Sequence, residues 1–147
     1  MKLFTLSLLA MSLIAQTPQP NRYFISAGTT ALTIQQPSSN ANQVQFESAS
    51  IYCASASTAT PSWNGTAATA TTGTIKKAPG TSATPKATAW TGSNVGAGTT
   101  GPVYNIPAAQ TMLFDLSNII MGTTGTATNF TFTTNNSCTI TIYWVER

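Results

Sequence analysis

The side chains that could carry chemistry are few. The 147-residue chain has no histidine, two cysteines (Cys53 and Cys138) and three acids (Glu47, Asp115 and Glu146). Without histidine the commonest general base and the commonest metal ligand are missing. Two cysteines far apart in sequence make neither a zinc cluster nor a Cys–His nucleophile. Glu47 and Asp115 are the pair a glycoside hydrolase would need, one protonating the leaving oxygen and one acting as nucleophile or base. They would have to meet within about 5–10 Å in a cleft. Nothing in their spacing brings them together, so both read as hydrogen-bonded or solvated strand residues. Glu146 stands next to the last residue and is expected to fray.

A serine activated by Lys76, Lys77 or Lys86 is a known hydrolase device, but no motif here supports it. The pair Lys76-Lys77 reads as a charged loop tip. Gly96-Ala97-Gly98-Thr99-Thr100-Gly101 fits G-x-G-x-x-G. A dinucleotide site needs a helix after that loop, so that its first amides hold the pyrophosphate. Residues 102–107 follow instead, with prolines at both ends, and read as extended. The chain is therefore expected to be no enzyme and to hold no cofactor and no metal.

Aromatic residues are the better candidates for binding. Trp63-Asn64-Gly65-Thr66 and Trp90-Thr91-Gly92-Ser93 share the form Trp-x-Gly-hydroxyl. Each places an indole at a strand end beside a tight turn. Trp63 and Trp90 would stack on sugar rings, with Asn64 or Tyr104 supplying hydrogen bonds. The competing reading is that both indoles cap the ends of a core.

The elements that must position these residues follow from pattern. Residues 1–15 have a short basic start and a 13-residue apolar run, ended by Thr17-Pro18-Gln19-Pro20. That is the form of a secretory leader, and too short to cross a bilayer. The remainder, 16–147, has the size of one domain, with no transmembrane segment once the leader is removed. It carries five bases against three acids, too small and too scattered an excess to attract nucleic acid. With 28 threonines its surface must be built of hydroxyls and amides. Threonine's branched Cβ suits exposed strand faces, and few charges leave strand edges poorly defended against self-association.

Apolar residues recur with period two. Strands are expected over 22–26, 31–35, 43–54 with a bulge near 48–50, 57–63 at an edge because of Pro61, 67–75, 86–90, 102–106 and 110–116. A hydrophobic loop or one helical turn follows at 119–121. Pro79-Gly80 signals a turn. Residues 129–134 and 138–145 read as a hairpin around Asn135-Asn136-Ser137. Eight to ten short strands and no long helix predict an all-β fold, a β-sandwich with the jelly roll as one form. The expected core is Leu32, Ile34, Val44, Phe46, Ile51, Met112, Phe114, Leu116, Phe130, Phe132, Ile140, Ile142 and Trp144. In an exported chain Cys53 and Cys138 are expected to pair. Sequons at Asn64, Asn129 and Asn135 are chance-level matches in so Asn- and Thr-rich a chain.

These readings favour a secreted, non-enzymatic structural or surface-assembly protein. It would self-associate through sheet edges as a fibre, layer or matrix subunit, with 16–29 as an extended N-terminal arm able to complete a neighbour's sheet. The alternatives are a secreted lectin-like module binding glycan, and a virion or phage decoration protein.

Overall fold

The computed structural model describes residues 21–36, 43–63, 71–92, 99–121 and 128–147. The leader expected over 1–15, Asn64 and most of the Gly-rich loop lie outside these residues. The strands are β1 (Asn21–Gln36), β2 (Val44–Cys53), β3 (Ser57–Trp63), β4 (Thr71–Thr72), β5 (Lys76–Lys77), β6 (Thr88–Thr91), β7 (Thr99–Thr100), β8 (Tyr104–Ile106), β9 (Gln110–Asp115), β10 (Ile120–Met121) and β11 (Thr128–Glu146). No described residue is helical. All strand pairs are antiparallel and belong to one open sheet.

The first and last strands form its axis. Residues 21–29 of β1 pair with 138–146 of β11, and residues 31–36 pair with 128–133. Between the two stretches β1 spends only Thr30, whereas β11 spends residues 134–137. Such a mismatch bends a ribbon. The bend is sharp, as one ring contact shows. Phe46 pairs with Trp144 on the neighbouring strand. Phe130 precedes Trp144 by fourteen residues, about 46 Å of extended strand. Yet the rings of Phe46 and Phe130 lie 4.8 Å apart, so β11 must fold back on itself. Phe114 of β9 reaches Phe132 at 4.8 Å in the same way. The sheet thus has two lobes that touch face to face, an arrangement compatible with the expected sandwich.

One lobe holds β9, β10, β2, the end of β11, the start of β1 and β5. The other holds β7, β8, β3, the start of β11, the end of β1, β6 and β4. Alternation along each strand decides the buried face. Ile140, Ile142, Trp144, Ile25, Tyr23, Phe46 and Ile51 line one lobe, and Phe130, Phe132, Leu32, Ile34 and Ala59 the other. Of the expected core, eleven residues are buried, while Met112 and Phe114 are half-buried against it.

Several expectations are corrected. Residues 129–134 and 138–145 do not pair with each other as a hairpin; each pairs with β1. Asn135, Asn136 and Ser137 form the corner of a folded ribbon, because polar turn residues serve an unpaired bulge as well as a hairpin loop. The described part of the expected arm, Asn21 to Thr29, is an interior strand bonded to β11 and, at Tyr23 and Phe24, to β5. Lys76-Lys77 is that short strand rather than a loop tip. β3 is not an edge. The chain beside it is split into β7 and β8, and Gly101 N–H donates to the Pro61 carbonyl at 2.8 Å where the split occurs, so proline's missing donor costs no ladder bond. The bulge in β2 falls at Glu47, between the Phe46–Trp144 and Ser48–Tyr143 pairs. Ile119 N–H donates to the Leu116 carbonyl at 2.8 Å, closing a turn that leads into β10. Ala78-Pro79-Gly80-Thr81 is a tight turn as expected, with Gly80 at φ 86°, a region glycine enters freely.

Cys53 and Cys138 form a disulfide with Cα atoms 4.5 Å apart. That is the spacing of a non-hydrogen-bonded antiparallel pair. The bond lies at the end of β2, beside the corner.

Candidate functional site

Each acid has a structural partner. Glu47 pairs with Arg22 at 3.1 Å on the surface. Asp115 Oδ1 accepts the Ser117 N–H at 3.0 Å, and this bond holds its carboxyl below the usual range. Glu47 and Asp115 sit on the neighbouring strands β2 and β9, each turned to its own partner. Glu146 is not frayed. It is 3% exposed, and its two oxygens accept the Lys86 N–H at 2.8 Å, the Ala87 N–H at 3.0 Å and the Trp144 indole N–H at 3.3 Å. A buried carboxylate persists when it is hydrogen-bonded in this manner. Sequence position suggested a loose end; the signal that could have corrected it is the strong alternation running up to Val145.

Lys76 and Lys77 are likewise engaged. Lys76 Nζ stands 5.9 Å from the Phe24 ring centroid, and Lys77 Nζ donates to the Ser82 carbonyl at 2.8 Å. Among the described residues no group of three metal-ligating side chains comes together.

The aromatic candidates are dispersed. Trp63 pairs with Phe130 and packs against the core. Trp90 follows buried Ala89 on β6, so it points to the opposite face, where its indole N–H donates to Gln35 Oε1 at 3.1 Å. The two indoles therefore share no surface. Tyr104 meets Phe114 edge-on at 5.1 Å. An aromatic pair absent from the sequence reading, Phe24 and Tyr143, stacks at 5.5 Å and 22° on the outer face of the first lobe. Rings stacked across adjacent strands stand upright and cover each other's faces. Phe24 is flanked by Tyr143 on one side and Lys76 on the other, an arrangement that strengthens the sheet.

An open groove of about 330 Å³ lies at the corner, lined by Ala56, Ser57, Thr58, Asn105, Ile106 and Asn135 among others. Its described lining contains no acid or base. Asn135 Oδ1 accepts the Ser57 hydroxyl at 2.6 Å and the Thr58 N–H at 2.7 Å, and Asn136 Nδ2 donates to the Ala56 carbonyl at 2.7 Å. These bonds tie the β2–β3 connection to the fold in β11. Of the sequons, Asn129 is 3% exposed, Asn135 is held in this network, and Asn64 lies outside the described residues.

The feature that sequence reasoning missed is an edge. Among the described residues β9 pairs with β2 alone. Exposed large hydrophobic residues accompany it: Leu113 on β9, Tyr52 opposite Thr111, Ile120 on β10 along the same side of β2, and Tyr104 against Phe114. The segment Gln110–Asp115 contains no proline and no basic residue.

No protein-family model, curated protein or solved structure matches this chain.

Proposed function

We propose that this is a secreted, non-enzymatic β-domain that works by associating with further copies of itself, as a subunit of a surface layer, matrix or fibre. The observation that carries the reading is the β9 edge, which among the described residues pairs with β2 alone and has exposed Leu113 at its middle. Soluble β proteins ordinarily blunt such an edge with lysine, proline, a bulge or a covering segment. Here the opposite flank of the same lobe carries Lys76 and Lys77 in β5, and the β9 flank carries neither. Support also comes from the acids, all of which are committed to structural bonds, and from the Cys53–Cys138 bond, which suits an oxidising compartment outside the cytosol.

The test is the mass of the chain lacking residues 1–15, measured by light scattering and sedimentation from micromolar to millimolar concentration. Concentration-dependent oligomers are expected. A strict monomer throughout that range would overturn the reading.

A further inference from the structure

We propose that two copies of this chain join through β9, antiparallel, about a two-fold axis at Leu113. This rests on the associative reading above and specifies its contact.

In an antiparallel ladder the main-chain groups of alternate residues face alternate neighbours. Leu116 N–H donates to the Glu47 carbonyl at 3.2 Å, and the register runs from Ser48–Asp115 to Cys53–Gln110. Leu116, Phe114, Met112 and Gln110 therefore face β2. Thr111, Leu113 and Asp115 turn their N–H and C=O groups outward, and β2 is the one described strand paired with β9. Those outward groups are what a partner strand would bond.

The partner is a second copy because the edge is complementary to itself in the register centred on Leu113. Centred on Leu113, the two-fold sets Leu113 opposite its symmetry mate and Thr111 opposite the mate's Asp115. Leu113, 78% exposed, is then covered by an identical apolar side chain. Each Asp115 faces a threonine hydroxyl instead of another carboxylate. Each of the three facing pairs exchanges two main-chain bonds. A register centred on Asp115 would oppose two carboxylates, which repel. One centred on Thr111 would set Leu113 against Ala109, whose φ of 56° takes the backbone out of the strand. Registers centred on Met112 and Phe114 set Leu113 opposite Thr111 and Asp115, so the Leu113 register alone covers Leu113 with its own mate and sets Asp115 opposite Thr111. Ile120, on β10 along the same side of β2, and Tyr104, against Phe114 on the opposite face from Leu113, add exposed apolar side chains near the contact.

The experiment uses the disulfide-bonded chain and three variants, with folding checked by circular dichroism. Leu113→Lys and Leu113→Asp each place like charges across the axis and are expected to raise the dimer dissociation constant at least about a hundredfold, since like-charge juxtaposition costs several kcal/mol. Mixing the two is expected to restore association as a heterodimer, because position 113 faces itself. Thr111→Pro removes an outward N–H and no bond to β2, so the fold is kept and the dimer lost. If the wild-type chain associates and all three variants associate equally well, the β9 contact is wrong while the associative function stands. If the wild-type chain is monomeric, both fall. Failure of the mixed charge variants to recombine, with each monomeric alone, overturns the two-fold register.

Discussion

Glu146 Oε1 accepts the Ala87 N–H at 3.0 Å, so the last strand of the sheet holds a connection 59 residues earlier in the chain. Glu146 Oε2 does the same for Lys86. The bonds join β11 to the entry of β6, across which Tyr23 also reaches, its hydroxyl donating to the Ala83 carbonyl at 3.2 Å. Glu146→Ala would leave two amides and an indole N–H without their acceptor. A loss of about 2–4 kcal/mol in urea unfolding is expected. Glu146→Gln, which keeps one acceptor oxygen, should lose less.

Tyr23 reports on the same place. Burial raises its phenol above the ordinary value, and the Glu146 charge raises it further. A group whose folded pKa is raised stabilises the fold below its unfolded pKa, and the contribution is lost as pH rises through the folded value. Stability should therefore decline as pH rises above about 10, in step with late phenolate absorbance. Tyr23→Phe should flatten that decline, and Glu146→Gln should bring the phenol's ionisation to lower pH.

The corner depends on Asn135, whose Oδ1 accepts both the Ser57 hydroxyl and the Thr58 N–H. Asn135→Ala removes both acceptor bonds and is expected to cost about 1–3 kcal/mol. Chemical denaturation checks the cost, and faster amide exchange at Thr58 than at Ile140 would place it at the corner.

The Cys53–Cys138 bond closes a long loop, with a sequence separation of 85. Its contribution on the chain-entropy account is about 4–5 kcal/mol. A Cys53→Ala, Cys138→Ala chain should show an unfolding free energy lowered by that amount and a correspondingly lower denaturation midpoint, with far-ultraviolet dichroism of the folded state unchanged. An unaltered midpoint would show that the unfolded chain is constrained by something other than the bridge.

The sequence alone determined which residues are extended and which face of each strand is apolar, because alternation is a local property. Ile140, Ile142 and Trp144 announce a buried face without reference to any partner, and all three are buried. The Cys53–Cys138 bond was legible for another reason: with two cysteines there is one way to pair them. Only the tertiary structure decided the neighbours. Residues 128–146 carry two alternating runs around Asn135-Asn136-Ser137, a pattern that a hairpin and a folded single strand satisfy equally. The choice was made by β1, at the other end of the chain, which bonds both runs. Val145 shares the face of exposed Tyr143 along β11, yet it is buried, and it lies in register between Arg22 and Gln45 on the two neighbouring strands. The three acids followed the same division. Their scarcity was plain from composition; Asp115 is held by the nearby Ser117 amide, but the use of Glu47 and Glu146 rests on a guanidinium and amides that long-range pairing brought to them. The β9 edge belongs to that second class too. Whether a strand is interior or free depends on what lies beside it, and alternation within the strand carries no trace of that.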